Sequence, residues 1–216
     1  TEPSVCSNSS DHRETKQMEY KDLIKDPEFR DDWLRLKSNE LGRLLQGIGK
    51  NTDETQQIKG YDCCNIIYKY EVEPGRIITY ARTVCTVRPE KDEPNRTRIT
   101  AGGNLITDYP GDTSTDTAGL ELVKIHWQSV LSTENAKYMT IDIGNFYTNT
   151  PMDRYKYMKM HISEIPQEVI DEYNIMPKVD NGFVYFRIKK AIYGLPQSGA
   201  LAHKMLAKIL NKEGYY

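Results

Sequence analysis

At 216 residues, with 38% apolar and 28% charged side chains, the chain has room for one large domain or two small ones and reads as globular rather than fibrous. A net charge of −2 excludes a globally basic nucleic-acid binder but leaves room for a local basic groove. No apolar run approaches the roughly 20 residues of a membrane span, and the polar first sixteen residues do not read as a signal peptide.

Residues 1 to about 17 lack periodicity and are expected to be a disordered tail, leaving residues 18–216 as the folded part. Residues 25–47 predict a helix, with Asp26 as cap, Pro27 in the first turn, an apolar stripe containing Phe29, Trp33, Leu36, Leu41, Leu44 and Leu45, and Gly47 as terminator. Residues 64–89 predict two strands around the Pro74-Gly75 turn. A basic strand carrying Arg96 and Arg98 runs into Gly102-Gly103. Residues 118–132 predict a helix with Leu120, Val123, Trp127, Val130 and Leu131 inward.

Alternation over residues 138–143 then predicts a strand, with Tyr138, Thr140 and Asp142 on one face and Met139, Ile141 and Ile143 on the other. Beyond it lie an alternating strand over residues 155–162, a short proline-started helix over 165–173, and a turn and strand over 180–190. Residues 194–214 predict a last helix, with Leu201, Met205, Leu206, Ile209 and Leu210 on one face. Helices and strands mix without strict alternation, so the expected class is α+β. Four cysteines without a C-x-x-C pair suit reduced thiols better than a disulfide framework. Fifteen tyrosines against four phenylalanines suit wet clefts and stacking surfaces.

Four features carry chemistry. Asp142 ends an apolar strand just before the bend Ile143-Gly144-Asn145, and a carboxylate beside exposed backbone is a good ligand for a hard cation. Tyr147 lies just past that bend, beside Phe146. Arg96 and Arg98 are suited to phosphate oxygens. The segment Tyr193-Gly194-Leu195-Pro196-Gln197-Ser198-Gly199 is a turn into a helix with an amide at its mouth.

In order and spacing these features resemble the reverse transcriptase domain of copia-type retrotransposons, over most of the chain from about Met18. "YMTIDIGNFYTNTPM" is similar to the family's first catalytic motif, "IKKAIYGLPQSGALAHKML" to its second, "NRTRITAGGN" to the fingers strand, and "DPEFRDDWLRLKSNE" to its opening helix. The resemblance implies the fingers and part of the palm of a right-hand polymerase, with a mixed or antiparallel sheet and packed helices. It also implies DNA synthesis on an RNA or DNA template with primer, using deoxynucleoside triphosphates and two magnesium ions. Asp142 would then be a catalytic metal ligand, and Ile143, Gly144 and Asn145 would line the triphosphate. Tyr147 would exclude a ribose 2′-hydroxyl, Arg98 and Arg96 would clamp phosphates, and Gln197 would lie near the nucleotide's 3′ side.

The pattern departs from the family at Pro196, where a Lys is usual, and at Gly199-Ala200-Leu201-Ala202, where Pro-Arg-x-Trp is usual. The aromatic-x-Asp-Asp motif is absent from its family position. Phe29-Arg30-Asp31-Asp32 spells it, but within a proline-started helix ahead of the first motif, where both carboxylates should face solvent. The expectation is therefore a fragment cut before its last catalytic aspartates, inactive alone and partnered by the rest of a Pol polyprotein including RNase H. The cytoplasm, a virus-like particle or the nucleus would be its location. The alternative is a retroelement remnant that binds nucleic acid or protein without chemistry.

Overall fold

The computed structural model describes residues 17–49, 55, 57–90, 93–115 and 117–215. The tail expected at residues 1–17 lies outside them except for Gln17, which belongs to a short strand. The elements in chain order are β1 (Gln17–Met18), α1 (Tyr20–Leu23), α2 (Arg30–Leu44), β2 (Cys64–Ile67), β3 (Ile78–Val87), β4 (Asn95–Ala101), α3 (Leu120–Ser132), β5 (Pro151–His161), α4 (Gln167–Glu172), β6 (Phe183–Lys190) and α5 (Ser198–Lys212).

The six strands form one mixed sheet in the order β1-β3-β5-β6-β2, with β4 on β3. Long β3 changes partner along its length. Ile78 to Tyr80 run parallel to β5, and Ala81 to Val87 pair antiparallel with β4. The register Met158↔Phe186 and Met160↔Val184 sets one face of β5 and β6 inward. These side chains are buried with Ile188 against Leu41, Leu44 and Leu45 from the α2 region and Val169 and Ile170 of α4. A smaller cluster packs Tyr20, Leu23, Trp33 and Cys85, and a third lies on the other sheet face around Ile67, Tyr157 and Tyr185. This is an α+β architecture. Among the described residues no helix is long and apolar enough to cross a membrane.

Several expectations need correction. The helix expected over residues 25–47 is α2 and opens at Arg30, not Asp26, because the Asp26 carboxylate accepts the Glu28 N–H at 3.0 Å and closes a local turn first. Asp31 and Asp32 are exposed in its first turn, as expected of them. The two strands flanking Pro74-Gly75 do not pair with each other. β2 pairs with β6, and a 3₁₀ turn at Lys69–Glu71 carries the chain away before β3 begins. Cys63, Cys64 and Cys85 are buried free thiols, and Cys6 lies outside the described residues.

The largest difference concerns residues 136–143, which have no strand structure and are exposed throughout. A strand is held by ladder partners, and none of the described strands pairs with this segment. Helix α3 forms where expected yet buries no residue. The last helix starts at Ser198. Ser198, Ala200 and Ala202 are its buried residues, and Ile209 and Leu210 stay exposed.

Candidate anion-binding cleft

Alternation along β4 buries Thr97, Ile99 and Ala101 and turns Arg96 and Arg98 to the opposite face. On α2, Arg35, Asn39 and Arg43 recur every fourth residue and so share one side of the helix. The two rows face a common cavity of about 330 Å³, also lined by Arg88, Asn145 and Tyr193. That is at the lower end of ordinary small-molecule sites.

The charge in this cavity is unbalanced. Five arginines line it (Arg35, Arg43, Arg88, Arg96 and Arg98), against Glu40 and Glu93. Arg35 pairs with Asp32 at 3.5 Å and Arg43 with Glu40 at 3.8 Å. Among the described residues, Arg88, Arg96 and Arg98 have no ion-pair partner, and the Nε atoms of Arg88 and Arg98 are buried without a hydrogen bond. Burial, then repulsion from Arg98 and Arg88, lowers the Arg96 pKa below the ordinary guanidinium value. Glu40 also titrates abnormally. Burial raises its pKa, opposed by the Ile99 N–H and by Arg43, Arg96 and Arg98. A cation cluster partly withdrawn from water and short of counter-charge attracts an anion with several oxygens.

Behind Tyr193, two of the sequence motifs meet directly. The Ala101 N–H donates to the Tyr193 carbonyl at 2.9 Å. At Gly194 the chain turns with φ +91°, and a Cβ there would lie 2.1 Å from the Ala101 carbonyl oxygen. A Cβ at Gly103 would lie 2.0 Å from the Gly194 oxygen. Backbones this close exclude any side chain, which accounts for glycine at both motifs. The contact sets the Tyr193 ring under Arg98, with the guanidinium 4.5 Å from the ring centroid. Tyr193 in turn meets Tyr147 edge to face at 5.2 Å.

Of the residues expected at the site, Arg96, Arg98 and Asn145 line one cavity, and Tyr147 joins them through Tyr193. Asn145 sits at φ +56° and its amide donates to the Tyr61 hydroxyl at 2.7 Å. Ile143 and Gly144 are exposed just before it. Asp142 is exposed and makes no hydrogen bond or ion pair among the described residues. Gln197 does not line the cavity. It is wholly buried at the start of α5, with both amide atoms unpartnered. The sequence reading missed Arg35, Asn39, Arg43 and Arg88. The i, i+4, i+8 spacing on α2 was the available signal for three of them.

Among the described residues no group of three or more His, Cys, Asp or Glu could hold a metal ion. Asp142 supplies a single carboxylate, so these residues do not by themselves fit a pair of magnesium ions. Comparison of the chain with models of known families, with curated proteins and with solved structures finds no match.

Proposed function

We propose that this chain is the fingers and partial palm of a copia-like reverse transcriptase, and that its arginine cleft receives the triphosphate of an incoming deoxynucleotide. One observation carries the reading. Arg88, Arg96 and Arg98 converge on a small-molecule-sized cavity without ion-pair partners among the described residues, and Tyr193 lines the same cavity with its ring against the Arg98 guanidinium. Guanidinium groups match phosphate oxygens in geometry and charge. The Tyr193 ring holds the Arg98 guanidinium in place beside the cavity, which preorganises it for an anion. On this reading Asp142 would be one metal ligand among several, and the arginine cleft binds the nucleotide's phosphates.

Arg98 should matter more than Arg96. Its guanidinium is already held over the Tyr193 ring, so less side-chain freedom is lost when phosphate arrives. Titration of dTTP into the protein in EDTA, followed by calorimetry, tests this. Arg98→Ala should weaken binding by about 10- to 100-fold, the worth of one charge-assisted bond, and Arg96→Ala should weaken it less. Absence of dTTP binding, or equal losses for both variants, would reject the assignment. The non-catalytic alternative, a nucleic-acid binding module, predicts instead that a single-stranded oligonucleotide binds and dTTP does not.

A further inference from the structure

Two acids line the arginine cleft, and they differ in burial. Glu93 is exposed, so water and salt screen its charge. The Glu40 side chain is only 15% exposed and sits among the cations. Its Oε1 accepts the Ile99 N–H at 3.5 Å, and its Oε2 lies 3.8 Å from the Arg43 guanidinium on the same helix. Arg96 and Arg98 act on it from β4. Arg35, Arg88, Tyr61 and Tyr193 line the same cavity. On the core side lies Cys63, whose thiol burial pushes up to about 12 and so keeps neutral. Burial favours the neutral form of Glu40, while the Ile99 N–H and the three arginines favour the carboxylate. Burial prevails, and the pKa is raised.

We propose, building on the cleft as a receptor for phosphate, that Glu40 couples the binding of the ligand to the uptake of a proton. In the empty cleft its carboxylate is the resident counter-anion of Arg43, Arg96 and Arg98. A phosphate that engages those guanidiniums removes the field that holds Glu40 ionised and sets further negative charge beside it. One proton from solvent then goes to Oε2, the oxygen on the Arg43 side, while Oε1 keeps the Ile99 N–H. The neutral acid turns from acceptor to donor and gains an O–H to give to a phosphate oxygen. Uptake is greatest between the free and liganded pKa values of Glu40, and affinity falls as pH rises through that window. Below the window the acid is already neutral. Above it the carboxylate persists and repels the ligand. If Glu40 only aligned the arginines, neutralising it would loosen them and weaken binding, so the two roles predict opposite signs.

The experiment is calorimetric titration of dTTP, in EDTA, into the wild-type chain and Glu40→Gln, in Tris and in Bis-Tris. Both buffers are cationic, so neither competes for the cleft, and their different heats of ionisation count the protons exchanged. A phosphate's own last proton, lost at about pH 6, contributes equally to both proteins, so their difference isolates Glu40. Wild type should take up more protons than Glu40→Gln, by up to about one per dTTP. Glutamine has the shape of the protonated acid, so Glu40→Gln should bind dTTP about tenfold more tightly at pH 8, the effect of a one-unit shift at a single group, and the two proteins should converge towards pH 5. Equal proton counts, or weaker binding by Glu40→Gln at the alkaline end, overturn the proposal. Inorganic tripolyphosphate separates it from the nucleotide reading. Proton uptake with tripolyphosphate but no binding of dTTP rejects the nucleotide and keeps the coupling, whereas binding of neither rejects both. If Glu40→Gln does not fold, the carbon-13 shift of the wild-type Glu40 carboxyl decides: its titration midpoint should rise on saturation with tripolyphosphate, and an unmoved midpoint overturns the coupling.

Discussion

Helices α2 and α3 have nearly the same length, 15 and 13 residues, and opposite fates. α2 carries seven charged residues yet buries Trp33, Leu41 and Leu44, and even Lys37. α3 carries two, Glu121 and Lys124, and buries nothing. The more apolar helix is the exposed one. Burial is a property of the pair, not of the element: α2 has β4 and α4 to lie on, whereas no described element covers α3. Hydrophobic free energy is gained only when a second surface removes the first from water.

The sharpest way to break this comparison is to delete the same side chain from each helix. Leu41 is 1% exposed in the main core, so Leu41→Ala should cost about 2–5 kcal/mol. Leu131 is 81% exposed, so Leu131→Ala should change folding stability by less than about 0.5 kcal/mol. Urea titrations followed by tryptophan fluorescence, at protein concentrations too low for self-association, measure both. Similar costs at the two sites would show that α3 is packed in solution and that the contrast is false.

A second prediction concerns the charge that α2 buries. The Lys37 ammonium donates to the Thr83 hydroxyl and lies 4.4 Å from the Tyr20 ring centroid. Burial lowers its pKa from 10.5 to about 8, partly offset by Glu164 and Cys85, while Lys21 adds to the lowering. Between pH 8 and 10.5 the unfolded chain holds a proton here that the folded chain has lost. This group therefore destabilises the fold fully below pH 8, and the effect fades as pH rises. Lys37→Met should stabilise the protein by about 1–3 kcal/mol at pH 7, the protonation penalty less the lost Thr83 bond. The advantage should shrink between pH 8 and 10.5. Cys63 and Tyr20, each pushed up to about 12 by burial, oppose the trend in absolute stability, so the difference between wild type and variant is the quantity to follow. An advantage independent of pH would mean that Lys37 is not a buried charge.

The same contrast explains what could be read in the sequence. The strand with Arg96 and Arg98 is legible because alternation and burial agree there: every second residue of β4 meets the core. The meeting of Gly102-Gly103 with Tyr193-Gly194 is legible only as two glycine-bearing motifs. Their mutual close approach spans some ninety residues of chain, and no local rule encodes it. The pairing of β2 with β6 escapes for the same reason, since Pro74-Gly75 signals a turn but not which strands flank it in space. Residues 138–143 mislead in the opposite direction. Their alternation is genuine, but a strand requires edge partners that periodicity does not supply.

The smallest effect separates two residues three positions apart at the boundary between the packed and unpacked regions. Asp142 is exposed without a polar partner among the described residues, whereas Asn145 lines the cleft and donates to the Tyr61 hydroxyl. Alanine at position 145 would confuse side-chain loss with backbone strain, because φ is +56°. Glycine tolerates that angle, so Asn145→Gly removes the amide alone. With dTTP in EDTA, Asn145→Gly should weaken binding by about 2- to 10-fold, the worth of one neutral hydrogen bond that orders the cleft wall. Asp142→Asn should leave it within about twofold, since an exposed charge is largely screened. Loss of binding with Asp142→Asn alone would place the carboxylate, rather than the arginine cleft, at the centre of recognition.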